Sequence, residues 1–379
     1  MKRSFFLLVL AINFLFNYQL SAQSPTPQPP KINAVSYILL DFNTGTILAE
    51  QDIDVRVEPA SLTKLMTAYV IFDALEDGFI QMDELVRISE RAWRTEGSRM
   101  FIEVDSDVPL ESLLRGMIIQ SGNDASVALA EHLAGTEEAF ASLMNYQAGI
   151  LGMENSFFEN ATGLPGSNHY VTARDIATLA AALIRDFPDF YSIYSERSYT
   201  YNGIQQGNRN TLLARGDGVD GLKTGYTDAA GYCLVTSAIR DSTRLITAVF
   251  GTNSTNTRAE GSQALLNYGF RFFETRRLVS VGQELESARV WGGEPQSVSV
   301  GLPEDLHLTL PKGSFDQLSI LLNVNESIRP PIAAGDEIGK IEILLNGSKI
   351  YENTLISLNS SDNSGYWRLF MDTVESWFE

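Results

Sequence analysis

At 379 residues the chain is long enough for two or three domains, and its 44% apolar and 20% charged residues suit a globular protein with a substantial core. A net charge of −19 excludes the basic face that a nucleic-acid partner requires, so none is expected. The single cysteine, Cys233, rules out an intrachain disulfide; a chain of this size buries enough core without one. Cys233 falls in the apolar run Gly231-Tyr-Cys-Leu-Val235 and is expected to be an inert thiol on a buried strand.

The N-terminus carries a basic pair, Lys2 and Arg3, then the apolar run Phe5 to Leu20, then the small residues Ser21 and Ala22. This three-part pattern predicts a secretory signal peptide over 1–22 and an exported protein. The alternative is an uncleaved anchor helix; Asn13, Asn17 and Gln19 interrupt the apolar run, and cleavage is the expectation. Four prolines within 23–31 predict an extended linker. Ser36 to Asp41 and Thr46 to Leu48 flank the turn Asn43-Thr44-Gly45 as a hairpin. Helices are expected from near Ser61, over Pro109 to Ile119, Ser126 to Leu133, Glu137 to Leu151 and Arg174 to Ile184; strands are expected over Gly221 to Val235 and Arg244 to Gly251. The mixture places one large α/β (α+β) domain over 32–276.

After Arg276-Arg277 the pattern changes. Val298-Ser-Val300, Leu306-His-Leu308-Thr-Leu310 and Leu318-Ser-Ile320 alternate with period two between turn signals, which predicts a small β-sandwich-like domain over 277–360. Residues 361–379 have an amphipathic helical pattern: Tyr366, Trp367, Phe370, Met371, Val374, Trp377 and Phe378 share one face. Such a helix is roughly 20 Å long, too short for a bilayer core of about 30 Å, so it is expected to lie on a membrane surface. Packing on the protein or on a partner is the alternative, and the acidic polar face, with Asp372, Glu375 and Glu379, favours it.

Three short motifs carry chemistry. Ser61-Leu-Thr-Lys64 puts a hydroxyl and an amine nearly one helical turn apart, on one face. A serine is a weak nucleophile that needs a base, and a lysine serves as one only when burial or a neighbouring cation lowers its pKa. Ser121-Gly122-Asn123 directly follows an apolar helix; it offers a hydroxyl for proton relay and an amide for a substrate peptide. Lys223-Thr224-Gly225 supplies a cation, a hydroxyl and a glycine that lets another backbone approach. Each alone has a plain structural explanation as a helix cap or a strand-end turn. Together and in this order they form the serine penicillin-recognising set.

With these motifs the chain resembles the low-molecular-weight penicillin-binding proteins of the D-alanyl-D-alanine carboxypeptidase type. Pro59 to Thr67, Leu113 to Ala125, Asp220 to Gly225 and Gly269 to Thr275 match that family's segments. The resemblance implies a penicillin-binding/β-lactamase-like catalytic domain, with an antiparallel sheet flanked by helices. It implies a serine peptidase that removes the terminal D-alanine from peptidoglycan stem peptides and is acylated by β-lactams. No cofactor or metal is implied, and the setting would be the periplasm, on the outer face of the inner membrane. The implied roles are Ser61 as nucleophile, Lys64 as general base and Ser121 as proton shuttle. Asn123 would orient the substrate amide, Lys223 and Thr224 would hold the terminal carboxylate beside Gly225, and the backbone N–H groups of Ser61 and Tyr226 would form the oxyanion hole. Arg209 and Arg258 match arginines near the substrate carboxylate; ordinary structural arginine is the alternative for both. Two positions depart from the family: Tyr226 stands where many relatives carry His, and Arg99 where a small residue is expected, with consequences for cleft shape and charge.

Among rival chemistries, a class A β-lactamase needs a carboxylate to activate the deacylating water, and Ala161-Thr-Gly-Leu-Pro165 contains none. Endopeptidase cleavage of cross-links would use the same residues as the carboxypeptidase. A non-enzymatic wall-binding scaffold is opposed by the intact motifs. Ser-His-Asp catalysis lacks a Gly-x-Ser-x-Gly elbow; of His132, His169 and His307, only His169, in a loop, is placed to take part. No histidine pair has metal-ligand spacing.

Overall fold

The computed structural model describes residues 26–364; the expected signal peptide lies outside them, as does the expected C-terminal helix beyond Ser364, while Asp362–Asn363, expected at its start, instead form a short strand paired with Gly293–Glu294. Five antiparallel strands form the central sheet, in the order Ile47–Gln51, Ser36–Asp41, Thr243–Thr252, Gly231–Arg240, Val219–Thr227. Side chains alternate across a strand, and here both faces are covered. Ile38, Leu40, Ile246, Ala248 and Phe250 enter one core with the helices Thr63–Glu76, Asn123–Ala134 and Ala173–Asp186. Tyr37, Leu39, Leu245 and Val249 enter a second core with the helix Thr255–Phe272. The hairpin expected at Asn43-Thr44-Gly45 is present. The run expected as one strand over Gly221 to Val235 is two, Val219–Thr227 and Gly231–Arg240, folded back on each other at Asp228–Ala230. Continuous hydrophobicity on a two-face-buried strand hides such a turn.

Hydroxyl caps start several helices: Ser89, Thr136, Thr172 and Ser254 each accept from the backbone N–H three residues on. The helix Thr63–Glu76, which follows Ser61, has no such cap and grows from a short 3-10 turn, Ala60–Leu62. It is buried on almost every side, which is why its sequence lacks a polar face.

The helix Thr255–Phe272 leads directly into the strand Phe273–Val279, which pairs with Leu306–Pro311. Beyond it a five-stranded sheet, Glu286–Arg289, Ser297–Gly301, Ser348–Ser357, Glu337–Leu345 and Leu318–Val324, encloses a separate core that includes Val298, Val300, Ile341, Ile343 and Leu355. Val298 and Val300 are buried as their alternation predicts. Ile320 is exposed because Leu318–Val324 is an edge strand.

A buried polar knot joins the two domains. Asp41, fully buried at the end of its strand, accepts from Thr44 N and Oγ1 at 2.9 Å each and from Thr275 Oγ1 at 2.6 Å. Thr309 Oγ1 lies 2.7 Å from Thr44 Oγ1 and 3.0 Å from Thr275 Oγ1. Replacing Asp41 with alanine strands these buried donors, and a loss of about 1–3 kcal/mol in urea unfolding is expected; an unchanged midpoint would show that the knot carries no stability.

Candidate active site

The three motifs converge from three parts of the fold. Ser61 comes from the turn before the nucleophile helix, Ser121 and Asn123 from the junction of two helices, and Lys223 to Gly225 from the edge strand of the sheet. They surround a cleft of about 580 Å³ lined by Ser61, Ser121, Asn123, Thr224, Gly225 and Tyr226. Arg209 and Arg258 also line it, while Lys64 and Lys223 are buried in its floor.

Backbone geometry makes the convergence possible. The helix Leu110–Arg115 passes into a π turn over Gly116–Gln120 and stops at Ser121, which adopts a left-handed φ of 69°. Non-glycine residues rarely hold that conformation, and such strain gathers at functional sites. Ala60, just before Ser61, has a φ of 48°. Gly225 presses onto the same turn: a Cβ there would sit 3.1 Å from Pro59 O and 3.2 Å from Ala60 Cβ. The strand therefore runs close beside Ser61.

Lys64 is the centre of the site. Its Nζ lies 3.1 Å from Ser61 Oγ and donates to Asn123 Oδ1 at 2.7 Å and to the Thr162 carbonyl at 2.5 Å. Burial, helped by the Arg209 charge, pushes its pKa down to about 7; Asp124 and Glu137 oppose the shift. A neutral amine has two hydrogens and one lone pair. With both hydrogens taken by Asn123 and Thr162, the lone pair is left for the Ser61 hydroxyl. Lys223 is held well below its usual range by burial, then by the charges of Lys64, Arg209 and Arg258, and its Nζ donates to Ser121 Oγ at 2.8 Å. Ser121 thus connects the second cation to the cleft.

No aspartate or glutamate lines the cleft among the described residues. The two carboxylates nearest Lys64 are occupied. Asp124, buried at the start of its helix, accepts from the backbone N–H groups of Met100, Phe101, Ile102 and Ala125. Glu137 accepts from Ala161 N and from Arg91. The result is a cationic cleft in an acidic protein, suited to a substrate with a free carboxylate.

Of the two departures from the family pattern, Arg99 lies outside the cleft lining and Tyr226 is part of it. The expected effect of Arg99 on cleft charge is corrected: its guanidinium donates to the carbonyls of Thr95, at 2.8 Å, and Arg94, at 3.2 Å, at the end of the short helix Glu90–Arg94. Unsatisfied helix-end carbonyls attract a cation four or five residues on. Tyr226 lies against Tyr232 with ring centroids 4.4 Å apart and planes tilted by 34°, and its hydroxyl donates to Asp228. Arg258 donates to the carbonyls of Gly225 and Cys233, tying the strand pair together as it faces the cleft. Cys233 is buried, and burial pushes its thiol up to about 11, which keeps it protonated.

Several contributors escape motif reasoning. The Thr162 carbonyl is a backbone atom, and Asp124 acts by clamping the segment Met100–Ile102. Asn160 shapes the turn that presents Thr162: its Oδ1 accepts from Thr162 N and Gly163 N. The only sequence signal was Asn160-Ala-Thr-Gly163, the composition of an Asx turn. His307 lies in the C-terminal domain, on the strand Leu306–Pro311, and His132 on the helix Asn123–Ala134.

Fold and site define a serine acyl-transfer enzyme of the penicillin-recognising class. The chain belongs to the D-alanyl-D-alanine carboxypeptidase family, whose model matches residues 23–254; the model of the penicillin-binding protein 5 C-terminal domain matches residues 273–362. D-alanyl-D-alanine carboxypeptidase DacA of Escherichia coli (strain K12) is 42% identical over 368 residues, covering 95% of this chain and 91% of its own. DacC of the same organism is 38% identical over 380 residues, covering 97% and 95%. The crystal structure of penicillin binding protein 5 from Haemophilus influenzae superposes with a TM-score of 0.85 at 40% identity, covering 89% of this chain and 100% of that one. The resemblance stated from the motifs and the fold class expected from it both hold.

Gly163 offers a test of the turn that carries Thr162. Its φ is +82°, and a Cβ there would fall 1.8 Å from Ala60 O. Gly163→Ala is expected to destabilise the fold by about 1–3 kcal/mol or more, read as a lowered thermal midpoint. Gly149→Ala, where a Cβ meets nothing within 4 Å, should not; equal effects would refute the close packing.

Proposed function

We propose that the protein is a serine-type carboxypeptidase that removes the terminal D-alanine from peptidoglycan stem pentapeptides through an acyl-enzyme on Ser61. The observation that carries this reading is the Lys64 amine: buried, brought near neutrality, and hydrogen-bonded so that its free lone pair faces the nucleophile. Lys64 takes the Ser61 proton as Oγ bonds to the penultimate D-alanine carbonyl carbon. Negative charge on the carbonyl oxygen is met by the backbone N–H groups of Ser61 and Tyr226. The C–N bond then breaks, and the leaving amine takes the proton from Lys64 through Ser121. Water attacks the acyl carbon with the same groups working in reverse, which restores Ser61.

Binding roles follow from position. Asn123 offers its side-chain amide to the substrate peptide. Lys223, Thr224, Arg209 and Arg258 supply positive charge and hydrogen bonds to the terminal carboxylate, with Gly225 leaving room along the strand. A β-lactam enters as a mimic of the same peptide and acylates Ser61. No cleft carboxylate among the described residues is placed to activate water as a class A β-lactamase requires.

Incubation with benzylpenicillin followed by intact-mass measurement should show one adduct, mapped to Ser61. Ser61→Ala should show none, and Lys64→Ala should acylate about 10²–10⁴-fold more slowly; an adduct elsewhere, or none on the native chain, would refute the reading. Protonated Lys64 cannot accept the serine proton, so acylation should rise about tenfold per pH unit up to about 7 and then level off. A rate independent of pH through that range would exclude Lys64 as the base.

The location proposed is the periplasmic face of the inner membrane. Support comes from the signal pattern of residues 1–22 and the amphipathic sequence of 366–379. No helix among the described residues is long and apolar enough to cross a membrane. Deleting 366–379 should move the exported protein from the membrane to the soluble fraction; retention would exclude that segment as the anchor.

A further inference from the structure

His169 belongs to no motif and touches neither nucleophile nor cleft, yet it is buried directly behind the base. Its Nε2 lies 3.0 Å from Thr63 Oγ1, the residue preceding Lys64, and its Nδ1 lies 3.2 Å from Asn160 Nδ2. The Asn160 amide is oriented by its other bonds. Its oxygen accepts from Thr162 N, Thr162 Oγ1 and Gly163 N, so its nitrogen must be the group facing the imidazole. An amide nitrogen only donates. Nδ1 is therefore the acceptor, and the ring proton sits on Nε2, where it is donated to Thr63. The neutral ε tautomer thus links the start of the nucleophile helix to the turn that presents the Thr162 carbonyl to Lys64.

We propose that His169 is a positioning residue for the general base: it clamps the Asn160–Gly163 turn to Thr63 and so holds the Thr162 carbonyl on the Lys64 amine. This rests on the assignment of Lys64 as base. Burial pushes the imidazole down to about 4, against the pull of the nearby Glu159 carboxylate, so the ring stays neutral wherever Lys64 can work. The Phe158 ring, edge-on with centroids 5.9 Å apart, completes its apolar surroundings. A protonated imidazole would turn two N–H groups outward, and Nδ1–H would then meet the Asn160 amide N–H. Neutrality is part of the clamp.

Without the clamp the turn keeps its tie from Thr67 to the Ala161 carbonyl but loses the one at Thr63, and its Thr162–Gly163 end can shift from the helix. Lys64 then loses one of the two acceptors that aim its lone pair, and water reaches the amine. Burial is the leading cause of its lowered pKa, so hydration moves that pKa upward. Two effects follow together: slower acylation, and an acid limb displaced to higher pH. A defect of general packing would not be repaired by a side chain that restores only the two hydrogen bonds.

The test is the second-order rate of Ser61 acylation by benzylpenicillin as a function of pH, with thermal unfolding recorded alongside. His169→Leu keeps bulk and removes both hydrogen bonds; it is expected to slow acylation by about tenfold to a hundredfold and to move the limb to higher pH. His169→Gln can accept from Asn160 and donate to Thr63, and it should recover most of the rate and the native limb. Thr63→Val removes the other end of the clamp and should reproduce the leucine variant; it decides the question if the leucine variant does not fold. A native rate and limb in both H169L and T63V overturn the proposal, as does an H169Q loss equal to that of H169L. Acylation of the native chain at Ser61 tests the enzymatic reading independently, so the two failures are separable.

Discussion

A lysine amine taken out of water is the constraint around which this structure is organised. Bringing a pKa from 10.5 to about 7 corresponds to roughly 5 kcal/mol against the charged form. That penalty works against folding at any pH where the unfolded chain keeps its proton: it grows as pH falls from 10.5 to about 7 and is fully present below. The catalytic domain tolerates it because a large apolar core surrounds the nucleophile helix on nearly every side. In the proposed mechanism the same penalty equips Lys64 as the base, since an exposed lysine would stay protonated and could not accept a proton from serine.

The surroundings of Lys64 divide the task between side chains and backbone. Asn123 and Thr162 hold its hydrogens, and each is held in turn. Asn123 donates to Glu96 O at 2.6 Å and its backbone N–H to Ser98 O at 2.7 Å. Asp124 gathers the next residues of the same segment through the backbone N–H groups of Met100, Phe101 and Ile102. Thr67 donates to Ala161 O at 2.7 Å, one residue before the Thr162 carbonyl. A site that must place atoms within tenths of an ångström is built on rigid elements whose supports are themselves fully bonded.

Charge is distributed to match. The chain is acidic as a whole, but the cleft gathers two lysines and two arginines with no carboxylate exposed to it among the described residues. The Arg209 charge adds to burial in keeping Lys64 neutral, and the same positive field suits an anionic peptide end. Arg209 and Arg258, for which a structural role was the alternative, both face this cleft; Arg258 also ties the strand pair that carries Gly225.

Residue order and periodicity determined a great deal by themselves. The three motifs, the hairpin before them, most helices and the separate β domain were legible, because nucleophile and base share one helical turn and buried faces impose a period of two or 3.6. What lay beyond reach was set by contacts distant in the chain. The carbonyl that aims Lys64 lies 98 residues away, and the histidine bonded to Thr63 lies 106 residues away. A backbone carbonyl leaves no mark in residue identity, so Thr162 could not be found by type. Asp124 was visible but not its clamp, since its partners are backbone N–H groups of another segment. The direction of Arg99 was decided by which helix end came within reach, and the break at Asp228–Ala230 by a sheet that buries both strands alike. Local chemistry follows from sequence spacing; the partners that tune it are chosen only when the chain closes on itself.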